Sequence, residues 1–189
     1  MRIKIYYLTI IIFVITCHIS AAQEYDFRQT QWGMSKKQVK TSEKTSLIID
    51  EPDHLSYHDD VTGIGSTQIA YIFVNDELAR ATYAFLKRYA DENAYINNYF
   101  TWKETLTDKY GKPLYDKIIW KGETYKDDSD KRGLAVVTGE LIYFSEWGTP
   151  DSEIRLYLGG KNNEPEFLII FNSKAHDSRL KNMYDKKNK

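Results

Sequence analysis

The chain has 189 residues, with 26 basic against 27 acidic side chains and a formal net charge of −1. This near-neutral balance excludes the strongly basic face that nucleic-acid binding needs. The length suits about one domain, and a single cysteine, Cys17, excludes a disulfide framework within the chain.

Met1-Arg2-Ile3-Lys4 is a basic opening, followed by an apolar run from Ile5 to Ile19 and the small residues Ser20-Ala21-Ala22. That order is the layout of a secretory signal peptide cleaved after Ala22. The run is short for a bilayer span of about 20 residues. Two alternatives stay open at this point. One is acylation of Cys17 as a lipoprotein, although Val14-Ile15-Thr16 lacks the small residue such a site wants; the other is an uncleaved N-terminal anchor. No later segment is apolar enough to cross a membrane. The mature chain is therefore expected to be soluble and exported, in the periplasm or outside the cell, and without cysteine. Fifteen tyrosines suit the half-buried faces of strands.

Gln23 to Gln31, with Tyr25 and Phe27 spaced by two, is compatible with an extended arm or edge strand. Trp32-Gly33-Met34 then leads into a short helix. Ser35 caps it and Gln38 reaches back to close a capping box. Lys36 and Lys37 oppose the helix dipole, so the helix depends on packing through Met34 and Val39. Strands are expected at Leu47–Ile49 and around Leu55 and Tyr57, with turn material at Gly63–Ser66. A hairpin from Thr67 to Leu86 follows, turning at Asn75-Asp76-Glu77. Ile69, Tyr71 and Phe73 share a face with Ala79, Ala81, Tyr83 and Phe85.

Asp91 caps a second helix, whose Tyr95, Tyr99, Trp102, Leu106 and Tyr110 form an apolar stripe widened by Ile96 and Phe100. Gly111 and Pro113 stop it. Lys117–Trp120 is a strand, and Lys121–Arg132 a charged loop. Strands are expected at Leu134–Val137 and Glu140–Phe144, then a turn at Trp147–Pro150. Two further strands follow, through Ile154, Leu156 and Leu158 and through Phe167–Phe171. Residues 173–189 read as a polar tail with excess lysine, frayed rather than the weak helix that Leu180 could support, with His176 in it and no sequence signal for a serine partner.

The order of elements repeats. Leu47–Ile49 corresponds to Ile118–Trp120, Leu55–Tyr57 to Leu141–Tyr143, and the hairpin of Ile69–Phe85 to that of Ile154–Phe171. The expected fold class is α+β. The organisation is a signal peptide over residues 1–22, a domain over 23–172 made of pseudo-repeats at about 27–89 and 90–172, and the tail over 173–189. One helix on a twisted antiparallel sheet leaves apolar surface open, which a second such unit can close.

Tandem helix-plus-sheet units behind an export signal resemble the architecture shared by BamE/SmpA-type outer-membrane modules and the beta-lactamase inhibitor protein. The W-G-M-S-x-x-x-V-K pattern at Trp32–Lys40 is also similar to the opening of many uncharacterised bacterial exported proteins. The resemblance implies a binding or scaffold domain that acts by presenting a surface.

Candidate chemistry is sparse. Asp53-His54 and His58-Asp59-Asp60 form the densest ligand-like cluster, and His54, His58 and Asp59 are the candidate metal ligands. On a strand, however, two histidines four apart are about 13 Å from each other, too far to share one ion. Asp127-Asp128-Ser129-Asp130 starts like a calcium loop, but Arg132 and Gly139 stand where ligands belong. Gly63–Ser66 is neither a nucleophile elbow nor a phosphate loop. No catalytic residue and no cofactor is assigned. The leading expectation is a non-enzymatic module that binds another envelope or extracellular protein through a sheet face or the loop Lys121–Arg132. The alternative is a small-ligand or glycan binder using Trp120, Tyr143 and Trp147. A metal-dependent hydrolase on His54 and His58 comes third.

Overall fold

A computed structural model describes residues 25–61 and 65–187. The expected signal peptide with its cleavage site, the lipidation alternative at Cys17 and most of the turn before Ser66 lie outside those residues. Helix α1 (Lys36–Ser42) precedes strands β1 (Ser46–Glu51), β2 (His54–Val61), β3 (Gly65–Val74) and β4 (Glu77–Phe85). Helix α2 (Asn93–Tyr110) precedes β5 (Tyr115–Trp120). Helix α3 (Arg132–Val137), β6 (Leu141–Gly148), β7 (Ser152–Lys161), β8 (Glu164–Ser173) and α4 (Asp177–Lys187) complete the fold. All eight strands form one antiparallel sheet in the order β1-β2-β3-β4-β8-β7-β6-β5. The fold is α+β, as expected.

Local chemistry accounts for these elements. Asn75 and Asp76, at φ 55° and 63°, make the two-residue turn of the β3–β4 hairpin, and Asn162 and Asn163, at 55° and 59°, repeat it between β7 and β8. Asparagine and aspartate accept this left-handed backbone, which matches the twist of the flanking strands. Asp76 also accepts the backbone N–H of Lys36 at 3.0 Å, placing an acid at a helix start that has none in its own first turn. The capping box of Ser35 and Gln38 is formed, and Val39 is buried under it.

The core lies between the sheet and α2. Tyr95, Tyr99 and Leu106 are buried, while Trp102, Ile96 and Tyr110 pack at its margin. They meet Tyr143, Leu156 and Leu158 from the second meander, and Ile69, Tyr71 and Phe73 continue the core under the first. The Trp32 indole N–H donates to the Ser152 hydroxyl at 2.8 Å, pinning the chain before α1 to β7. Gly111, at φ 81°, ends α2.

Four expectations are corrected. Leu134–Val137 is helical, within α3, because its backbone is pressed onto β7: a side chain at Gly160 would strike the carbonyl oxygens of Val136 and Val137. A bulge between Ile72 and Phe73 brings Leu78 opposite Phe73, so Ala79 drops out of the alternating row. The segment before Trp32 is no edge strand; it is a tight loop in which Thr30 bonds back to Phe27 through its N–H and hydroxyl, at 2.8 and 2.7 Å. The tail is not frayed, since residues 177–187 form α4 and Leu180 is buried. Lesser differences are that β6 runs on through Trp147-Gly148 and that Glu92 holds the cap position of α2, Asp91 bonding the Asn93 N–H at 3.0 Å.

Candidate functional site

Helices α2 and α3 cover one face of the second meander. On the other face, Phe144, Tyr157, Leu168 and Ile170 are only half-buried. Helix α4 reaches the sheet at β3 and β4, where the Arg80 guanidinium donates to the Tyr184 hydroxyl at 3.0 Å. At the opposite end of the sheet, β5 is the last strand.

Exposed apolar surface gathers at β5. Leu114, Tyr115, Ile118 and Ile119 are 68%, 57%, 58% and 41% exposed, and Phe100 of α2 is 41% exposed. The Phe100 ring stands 5.7 Å from that of Tyr143, whose cross-strand partner is Ile118. Ile119 lies opposite Ile142 on the other face. Apolar side chains thus flank β5 on both faces, and β5 is last in the sheet order, so its outer backbone edge has no strand partner among the described residues. Such an edge is a template for a further strand.

The strand is held firmly from inside. Asp116 accepts from the Ser145 hydroxyl at 2.8 Å, and the Ser145 oxygen is 2.6 Å from that of Tyr99. Burial works against the Asp116 charge, but Lys103 and Ser145 outweigh it and hold its pKa below the usual range. Lys103 and Lys126 have carboxylate partners in Asp116 and Glu123. Lys112, Lys117 and Lys121, along the outer edge, are exposed and form no ion pair among the described residues. The edge is apolar with a basic border.

A second feature lies at the other side of α2. A cleft of about 500 Å³ runs between α2, β4 and the loop at Phe27, and Tyr83, Phe85, Trp102 and Phe171 line it. It meets a polar cleft of about 330 Å³ at Gln31 and Thr149–Ser152, the two sharing Tyr25, Asp26, Lys109 and Tyr110. At its rim Arg28 bonds Glu43 at 2.9 and 3.3 Å and Asp59 at 2.9 Å. Burial disfavours the Arg28 charge, but Asp59 and Glu43 more than offset it and raise its pKa. The Tyr71 hydroxyl donates to Glu43.

The residues singled out in the sequence are scattered. Trp120 ends β5 and is half-buried, whereas Tyr143 and Trp147 are buried in the core. Those two offer no contact surface, because their outward neighbours on β6 alternate with them. His54 and His58 sit on β2, where His58 is exposed and Asp59 is taken by Arg28. No group of three or more metal-ligating side chains converges among the described residues. His176 does have a serine partner: the Ser173 oxygen is 2.9 Å from Nδ1, and Nε2 is 3.2 Å from Glu77. This has the outline of a catalytic triad, yet the serine is buried. The group docks α4, and Arg179 with His176 holds the Glu77 pKa down.

Neither a protein-family model, nor a curated protein, nor a solved structure matches the chain. Among the described residues no helix is long and apolar enough to cross a membrane.

Proposed function

We propose that this chain is an exported, non-enzymatic binding module that takes up an extended segment of another envelope or extracellular protein along the free edge of β5. The observation that carries this reading is the convergence of Leu114, Tyr115, Ile118, Ile119 and Phe100, all exposed, on one unpaired edge strand. Strand addition draws its affinity from main-chain hydrogen bonds and its selectivity from alternate side chains.

Charge indicates the partner's chemistry. Lys112, Lys117 and Lys121 border the strand and favour an apolar segment with acidic flanks. The order helix, four strands, helix, four strands, with α3 inserted after β5, supports the tandem-module reading.

The test compares the tagged chain with its Ile118→Lys/Ile119→Lys variant, both exposed to envelope extract of the source cell. The expected result is a protein retained by the parent and lost from the variant, at equal melting temperature. Retention by both, or by neither, contradicts the proposal.

A further inference from the structure

Resting on that reading, we infer which residues of the added segment β5 selects: an apolar side chain across from Ile118, next in the segment to a carboxylate across from Lys117. The Lys121 N–H donates to the Glu140 carbonyl at 2.7 Å, and in an antiparallel pair such bonds recur at every second residue. Ile119 lies opposite Ile142 and Lys117 opposite Phe144, so these two also turn their backbone groups toward β6. Asp116, Ile118 and Trp120 turn theirs outward. A segment laid along the edge in either direction therefore bonds to Ile118, and its residue there stands beside the Ile118 side chain.

The two faces of β5 offer different chemistry. Asp116 and Ile118 face α2: Asp116 is held by Lys103 and Ser145, and Ile118 lies opposite Tyr143. Phe100 stands on the same side, edge-on to Tyr143 at 5.7 Å and to Tyr99 at 5.6 Å. Those ring contacts hold Phe100 in place although it is 41% exposed. A residue across from Ile118 thus meets an apolar wall, which rewards an apolar side chain. Lys117 faces the other way, beside half-buried Phe144. It is exposed and forms no ion pair among the described residues. Glu146, one rung along that face, is taken by Arg155 at 2.9 Å. The carboxylate that Lys117 lacks is one the segment can bring.

A phage-displayed library of random linear peptides, selected on the immobilised whole chain, tests this. Enriched sequences should share an apolar residue next to an aspartate or glutamate, and Ile118→Pro should abolish their capture. Proline there removes an outward N–H and no bond to β6, which an edge strand tolerates. An enriched peptide made synthetically should bind Phe100→Ala about five-fold more weakly. Replacing its acid by the amide should weaken binding to the parent about two- to five-fold and leave binding to Lys117→Met unchanged. Phe100 and Lys117 are both exposed, so these two variants keep the core intact. Peptides lost with Ile118→Pro that lack the pair, equal binding by Phe100→Ala, or an acid preference that survives Lys117→Met would overturn the inference and leave the edge reading standing. No enrichment, or capture that survives Ile118→Pro, would overturn both.

Discussion

The Tyr99 hydroxyl of α2 and the Ser145 hydroxyl of β6 lie 2.6 Å apart in the core, and Ser145 donates onward to Asp116 of β5. This relay couples the buried Tyr99 of the helix to the outermost strand, where Asp116 meets solvent. Ser145→Ala would strand the Tyr99 hydroxyl in the interior, and a buried unsatisfied group costs about 1–3 kcal/mol. Tyr99→Phe in the same background should recover part of that loss, since both partners are then apolar. Denaturant unfolding of the two single variants and the double variant gives the comparison.

Gly160 should not tolerate a methyl group. A Cβ there meets the α3 carbonyls of Val136 and Val137, and neither backbone can move without lifting α3 from the sheet. Gly160→Ala is expected to destabilise by about 1–3 kcal/mol, the usual cost of overpacking, read from the shift in denaturation midpoint.

Helix α4 is anchored by Leu180 within and Glu77 at its edge. Leu180→Ala should cost about 2–5 kcal/mol as a buried truncation and should make residues 177–187 the first site of proteolysis.

The Glu77 contact has a pH signature. Arg179 first, and His176 second, lower its pKa from an ordinary 4.5. A lowered carboxylate contributes stability above its unfolded value and loses it as the pH falls through the folded one. Docking of α4 should therefore hold above pH 4.5 and weaken progressively below it. Amide exchange across 177–187 from pH 6 to about 3 checks this, and Glu77→Gln should flatten the extra acid-induced exchange.

The sequence carries the α+β class because its strand periods and turn residues are local signals. Asn75-Asp76 and the alternation of Ile69, Tyr71 and Phe73 are read without tertiary knowledge, and the stripe on α2 is equally plain. Leu134–Val137 is not: its apolar run suits strand or helix, and the choice falls to helix through the space left by Gly160, which is distant in the chain. The tail misleads for a related reason. One leucine in a polar segment is a weak amphipathic signal, and the contacts that dock the helix, Arg179 on Glu77 and Tyr184 on Arg80, reach a strand distant in the chain. The candidate site was the least legible part. Tyr143, Trp147 and Ile118 all look like surface aromatics or strand residues in the sequence, and only the position of β5 at the sheet's end decides which of them meets solvent.

The edge of β5 is tested most directly by placing a photo-crosslinking amino acid at Ile118 in the full chain within its source cell, with the same probe at exposed Ile48 on β1 as comparison. The account predicts an adduct with a different protein from position 118 and none from position 48. Adducts from both positions alike, adducts only between copies of the chain, or none from 118 would contradict it.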